Sequence, residues 1–328
     1  MTKLGLRLPS FALGDRTVSL GEMGAYLRRA EDLGFETALL IDHLLVAPPA
    51  YRVTWLEPVA LLSALAGVTR TVRLGTLVLV LPFRDPVAFA KEWATLDVLS
   101  GGRSILGVGV GWNREEFDAL RIPYRERGRR MNEMLESITA LWAGDHVSYE
   151  GQFYRFKDLT IEPKPAQRPH PPIWIGGGTQ PSATIYGEDV PSIEPVLRRI
   201  ARYASTWVPH SSATAEMVAS DWAAICGYMA ELGRAPAELS KVYSNFVHVL
   251  RPGERPEAAA PFFSVYSGMN LEYWQEYYLL GEAEAVAEKI RGKIDALGGV
   301  DHLVLNPLDW DPARLEVLAE RVLPLVAG

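Results

Sequence analysis

Cysteine is nearly absent. The 328-residue chain holds one, Cys226, so no internal disulfide framework can staple the fold. Uninterrupted apolar runs are short, and none reaches the roughly 18 residues that a membrane-spanning helix needs. Positive charge is scarce as well: 33 Lys and Arg stand against 40 Asp and Glu, a formal charge of −7. With no long Lys/Arg run to offset that balance, a general nucleic-acid or anionic-membrane partner is excluded. The six histidines have no metal-ligand spacing and no HExxH occurs, so no metal is predicted. The dinucleotide fingerprint is missing too, because Gly107 and Gly109 would need a glycine where Trp112 stands. The N-terminus passes directly into the strand-like LGLRLP without a signal-peptide pattern, and a cytoplasmic setting is expected.

What is present is an ordinary globular composition, 48% hydrophobic and 22% charged, in a chain long enough to bury roughly 75% of its unfolded surface. The stretch Arg73 to Arg114 organises it. Leu74 to Leu81 is almost unbroken apolar, as suits a strand covered on both faces. Asp85-Pro86 then reads as N-cap and first helical residue, with Val87, Ala90, Trp93, Ala94 and Val98 at helical spacing. Gly101 and Gly102 end that helix, and a second apolar strand runs from Ile105 to Val110. Strand, helix and strand at this spacing form a βαβ unit and predict a parallel sheet.

The same rhythm recurs along the chain. Strands are predicted near residues 4, 36, 74, 105, 173, 206, 243 and 302, with helical patterns between them, of which Ser19 to Glu22 is a capping box. Eight alternations predict a (β/α)8 TIM barrel in a single domain over residues 1–328. An open doubly wound sheet would begin with a nucleotide fingerprint, which Ser10 to Asp15 lacks. Three stretches depart from the alternation: 145–172, 180–192 and 251–281. As insertions in βα loops they are expected to flank the barrel mouth.

Candidate site residues cluster where strands leave the sheet. Asp42 and His43 close the second strand; adjacent on a strand, they point to opposite faces and need not pair. An imidazole there can polarise a carbonyl or move a proton, although a lone histidine also serves as a hydrogen-bonded spacer. Gly176, Gly177, Gly178 and Thr179 follow the fifth strand, where close backbone approach suits an anion or a plain loop. Gly107, Gly109 and Gly111 leave one strand face bare, either for something flat or for close packing of a neighbour.

Together, Leu74-Gly75-Thr76 through Leu81-Pro82, Leu99 to Arg103, Gly107 to Trp112, Arg127 to Arg130, Glu162 to Pro165 and Pro171 to Gly177 resemble the bacterial luciferase-like superfamily. The resemblance extends over about residues 1–208 and is closest to the deazaflavin (coenzyme F420) dependent oxidoreductases, less close to the branches that use reduced FMN. It implies a ring held at the C-terminal mouth against Thr76, Leu77 and Val78, with a non-proline cis peptide or a β-bulge within Thr76 to Val80. Asp42 and His43 match the family's Asp-His pair near the ring, with Asp42 a cofactor-binding residue, Asn113 matches a cofactor contact, and Gly176 to Thr179 match the phosphate loop. His43 is the catalytic candidate. The resemblance further implies hydride transfer between F420 and a small-molecule substrate, with a reduced-FMN monooxygenase as the alternative; a homodimer is expected. The proton-donor carboxylate of the sugar-phosphate dehydrogenase branch would align near Val110, so that activity is not expected. The anionic tail of F420 would seek Arg125, Arg127 or Lys164. A barrel enzyme without a redox cofactor and a non-catalytic flavin-binding barrel are the competing classes.

Overall fold

The computed structural model describes residues 2–12, 18–47, 51–181, 192–266 and 268–327. Eight parallel strands close into a barrel: β1 (Lys3–Arg7), β2 (Thr37–Leu40), β3 (Arg73–Thr76, resuming at Leu79–Val80), β4 (Ser104–Gly109), β5 (Ile173–Gly176), β6 (Thr206–Val208), β7 (Ser240–Val249) and β8 (His302–Pro307). Each pairs with the next, β4 with β5 and β8 with β1, so the eight-stranded sheet closes on itself. The helices between them are α1 (Leu20–Asp32), α2 (Pro58–Ala66), α3 (Pro86–Leu99), α4 (Arg127–Ala143), α5 (Glu194–Tyr203), α6 (Ala215–Glu231) and α7 (Ala283–Ala296). A last helical run follows β8, Pro312–Val317 continuing through a π-helical turn, Leu318–Val322, into Leu323–Ala327. This is the (β/α)8 barrel.

The helix starts form as the sequence dictates. Ser19 and Glu22 exchange both bonds of a capping box at α1, and Asp85 accepts the amides of Val87 and Ala88 ahead of Pro86 at α3. Strand alternation then sorts the side chains. Leu6 and Leu8 face the helices, in one core with Leu27, Trp93, Leu135 and Ile200, while Leu39, Leu77, Ile105, Trp174, Val242 and Val304 fill the barrel interior.

Glu31, at the end of α1, ties the chain leading into β3. Its carboxylate is 2% exposed and accepts the amides of Arg70, Thr71 and Val72 at 2.8, 2.6 and 2.9 Å. Burial alone raises its pKa, but the three amides and Arg70 outweigh burial and bring it from 4.5 down to about 2. A depressed carboxylate stabilises the fold above its unfolded pKa. That contribution, about 3 kcal/mol at neutral pH, is therefore lost as pH falls from 4.5 through about 2. Thermal unfolding of Glu31→Gln against pH is expected to show a lower Tm at pH 7 and a flatter acid limb. An acid limb as steep as that of the parent would contradict this.

One sequence expectation needs correction. Residues 145–172 do not flank the mouth. They follow α4 and precede β5, so the segment is an αβ connection that starts at the opposite rim. Its hairpin, Val147–Glu150 with Arg155–Leu159, climbs the outer side of α4, where Glu133 accepts the amides of Gln152 and Phe153 at 2.8 and 2.9 Å. Its proline arm crosses beneath β4, held by Gln167 on the buried Asp97. Hydropathy alternation identifies such a hairpin but carries no information about which rim it leaves. The stretch 251–281 does follow a strand, β7, and builds the mouth with two short helices, Ala260–Tyr266 and Leu271–Tyr277. Of 180–192, residues 182–191 lie outside the described residues.

Candidate active site

The C-terminal end of β2 divides its two ionisable residues as the alternation requires. Asp42 is 6% exposed; one carboxylate oxygen accepts the Val80 amide at 2.9 Å and the Arg84 guanidinium at 2.7 Å. Its own amide donates to the carbonyl of Val78 at 3.3 Å. Asp42 therefore anchors the end of β3 from both sides. His43 turns the other way, with Nδ1 3.2 Å from a carboxylate oxygen of Glu116. Tyr51, Trp112 and Trp55 surround the imidazole at centroid distances of 4.8, 5.6 and 6.2 Å.

Glu116 was not legible as a site residue. It is fully buried and accepts the amides of Leu44 and Leu45 at 2.7 and 3.0 Å as well as facing His43. In sequence, Asn113 and Glu116 stand at capping-box spacing, which points to a surface helix start. Asn113 does cap the helix Arg114–Ala119, but its partner is the Glu115 amide, and the Glu116 side chain reaches from the helix to His43 and the loop after β2. A carboxylate fixed by two amides and aimed at Nδ1 holds an N–H there and presents Nε2 as the free ring nitrogen.

Between the halves of β3 lies a non-proline cis peptide, Leu77–Val78, where the sequence reading expected a cis bond or a bulge. Thr76 fastens it by donating to the Gly107 carbonyl at 2.6 Å. The glycines of β4 and β5 are explained by this bulge. A Cβ on Gly107 would stand 1.8 Å from the Thr76 carbonyl oxygen, and one on Gly109 or Gly176 would stand 2.7 or 2.9 Å from the Val78 side chain. The bare face thus receives Val78, so close packing of a neighbour accounts for it.

The glycine loop after β5 is closed from behind. Gly177 donates to Val208 at 3.1 Å, while the amide and hydroxyl of Thr179 both donate to the buried Asp221, at 2.6 and 2.7 Å. In this arrangement Thr179 offers no free donor, and Asp221 brings negative charge where a phosphate would sit. Of the basic residues expected to meet an anionic tail, Lys164 is spent on the C-terminal carbonyls of α4 and on Asp145. Arg125 is exposed. Arg127 stacks on Tyr124 at 3.7 Å and has a buried Nε with no hydrogen-bond partner. The nearby Arg199, missed in the sequence, is 4% exposed; burial and Arg127 pull its pKa down to about 10, against the opposing pull of Tyr203.

A roof of apolar side chains closes the mouth: Phe11, Tyr51, Trp55, Phe246, Phe263, Trp274 and Tyr278 form one cluster with Ile41 and Leu308. The residues fit a flat polar ring in one respect that can be tested on the structure. The Asn113 side chain is 9% exposed and its Nδ2 is buried with no hydrogen-bond partner, an orphan donor that an acceptor atom of a bound group would satisfy. The Thr179 end of the loop does not fit a phosphate as it stands.

Residues 5–300 match the family model described as luciferase-like monooxygenase. The chain belongs to that family. Among relatives of this luciferase-like chain, an FMNH2-dependent dimethylsulfone monooxygenase of Pseudomonas putida is 39% identical over 127 residues, 38% of this chain and 35% of that protein. An F420-dependent glucose-6-phosphate dehydrogenase of Microbacterium testaceum is 41% identical over 160 residues, 47% and 46% of the two. The chain thus spans less than half the length of either relative. In fold, it superposes on a monooxygenase of Streptomyces bottropensis with a TM-score of 0.77 at 24% identity, covering 98% and 99% of the two chains. An F420-dependent secondary alcohol dehydrogenase gives 0.78 at 18% identity and 99% coverage of both. Both F420- and FMN-dependent enzymes thus stand among the relatives of this oxidoreductase family. No helix among the described residues is long and apolar enough to cross a membrane.

Proposed function

We propose that this luciferase-like protein moves a hydride between deazaflavin coenzyme F420 and a small organic substrate, with His43 handling the proton. The observation that carries the reading is the buried Glu116–His43 contact at the mouth, 3.2 Å long. Hydride transfer at a carbon bearing oxygen or nitrogen needs a neighbour that gives or takes a proton at the heteroatom. The deazaflavin, when bound, supplies the hydride donor or acceptor at its ring carbon. Thr76, Leu77 and Val78 form the wall behind the ring, Asn113 offers a hydrogen-bond donor to it, and Arg127 lies at the end towards its anionic arm; the Gly176 to Thr179 loop, with Asp221 behind Thr179, is not used as a phosphate cradle in this reading. Asp42 acts through the β3 wall that it anchors. Glu116 fixes the imidazole so that Nε2 faces the substrate, and the aromatic roof excludes water from the transfer. The homodimer and the cytoplasmic setting belong to the same reading; sedimentation of the purified chain tests the first.

Reduced FMN is the second reading, favoured by the 39% identity to a monooxygenase. Titration of the apo-protein with each cofactor, followed by tryptophan quenching, separates the two. F420 is expected to bind with micromolar affinity and FMN not to bind. The reverse result would replace the dehydrogenase by a monooxygenase, and binding of neither would return the barrel to a non-redox class.

A further inference from the structure

Arg7, which ends β1, is a cation that the redox reading does not use. It lies in register with Leu39, and Leu39 belongs to the interior cluster, so Arg7 also points into the barrel. Two strands away, Phe246 on β7 lies beneath its guanidinium, 4.7 Å from ring centroid to Cζ. The side chain is half-buried, its Nε is buried with no hydrogen-bond partner, and it forms no ion pair among the described residues. Carboxylates at neighbouring strand ends are committed elsewhere: Asp42 to Arg84 at 2.7 Å, Glu116 to His43 and two amides, Asp309 to Arg314 at 3.0 Å. The other ionisable group beside Arg7 is kept neutral, since burial first and Arg7 second push His210 down to about 4. A half-buried guanidinium with an orphan donor and no counter-ion is a site that an anion completes.

The proposed ring contacts lie on β3, β4 and β5, whereas Arg7 and Phe246 lie on β1 and β7, across the barrel. We propose that Arg7 is the anion-recognising residue of the substrate site and that the substrate is a carboxylate on an apolar, aromatic-sized body. The placement opposite the cofactor rests on the redox reading; the recognition of an anion does not. A single planar guanidinium stacked on an aromatic ring suits a carboxylate, and that ring, Phe246, belongs to one apolar cluster with Tyr51 and Trp55, against which Trp112 packs, an environment suited to the apolar body.

Calorimetric titration with benzoate and its uncharged counterpart benzamide tests this on the purified chain, with and without saturating F420. The parent protein is expected to prefer benzoate by about tenfold or more, the worth of one charged hydrogen-bonded contact. Arg7→Met should abolish the preference with F420 affinity unchanged within about twofold, and Arg7→Lys should keep part of it. Equal affinities in the parent, including no binding of either, overturn the proposal. So does a preference that survives Arg7→Met, or a loss of cofactor affinity in that variant, which would assign the cation to the ring. Should Arg7→Met not fold, the parent and Arg7→Lys titrations decide alone. A benzoate preference in a parent protein that binds neither cofactor would retain the anion site and discard the redox reading.

Discussion

Glutamine at position 116 is expected to reverse the hydrogen position on His43 and to lower kcat about a hundredfold, with KM and Tm little changed. Glu116 accepts from the amides of Leu44 and Leu45 through one oxygen and faces His43 Nδ1 at 3.2 and 3.4 Å through both. A glutamine can keep its oxygen on the two amides, so the loop after β2 stays in place. Its NH2 group then replaces the oxygen 3.4 Å from Nδ1 and can only donate, which opposes an N–H at Nδ1 beside the retained oxygen at 3.2 Å and shifts the ring hydrogen towards Nε2. The nitrogen proposed to face the substrate would change from a site able to take a proton to one already carrying it. Nitrogen-15 spectra of histidine-labelled protein read the tautomer without any substrate, and steady-state kinetics then separate kcat from KM. His43→Asn should reach the same low rate, and the double variant should fall no further, because both act through one ring. A reversed tautomer with full turnover would remove His43 from the chemistry. A tautomer unaltered by Glu116→Gln would remove Glu116 from its positioning role.

The barrel was legible because its evidence is periodic. Eight apolar runs separated by helical stripes leave few arrangements, and Ser19, Asp85 and Pro86 mark helix starts by local chemistry that tertiary contacts do not override. The bulge was legible only through the family resemblance, since Thr76 to Val80 reads as plain strand by hydropathy. The site was half legible for a physical reason. His43 and Asn113 stand at strand ends, where sequence position implies the mouth, but the groups that decide their chemistry come from other segments. Glu116 reaches His43 across 73 positions and looks like a capping residue; Asp221 reaches Thr179 across 42 and looks like one polar residue of an amphipathic helix. Arg7 hides differently. In LGLRLP it alternates with leucines, the pattern of a strand with one wet face, and only barrel closure turns that face inward. The stretch 145–172, which holds the hairpin at 147–159, is expected at the wrong rim because the direction of a connection depends on whether a helix or a strand precedes it.

Alanine at position 42 is expected to destabilise the fold by about 3–5 kcal/mol, the cost of stranding one member of a buried ion pair, and to weaken cofactor binding in the same variant. The Asp42 carboxylate is the partner of Arg84, whose side chain is 16% exposed, and of the Val80 amide. Its removal leaves Arg84 with the more exposed Glu57, 3.1 Å away, and leaves Val80 without an acceptor. At roughly 2–4 °C per kcal/mol for a large domain, Tm should fall by about 10 °C. Partial rehydration of Arg84 sets the lower end of that range. Asn at position 42 keeps an oxygen for Val80 but turns either that oxygen or an NH2 group towards Arg84, and its loss should be about half as large. The cofactor effect follows from geometry: the Asp42 carboxylate holds the Val80 amide, two residues beyond Val78, so the wall formed by Leu77 and Val78 loosens at that end when the carboxylate goes, although the backbone bond from the Asp42 amide to Val78 stays. Calorimetric unfolding and cofactor titration of the same two variants distinguish this anchoring role from the direct ring contact that the Asp42-His43 pair suggests in sequence. Anchoring predicts that Tm and affinity fall together, Ala further than Asn. A loss of affinity with Tm unchanged would place Asp42 on the ring itself, and a change in neither would mean that Arg84 and Val80 find other partners when the carboxylate is removed.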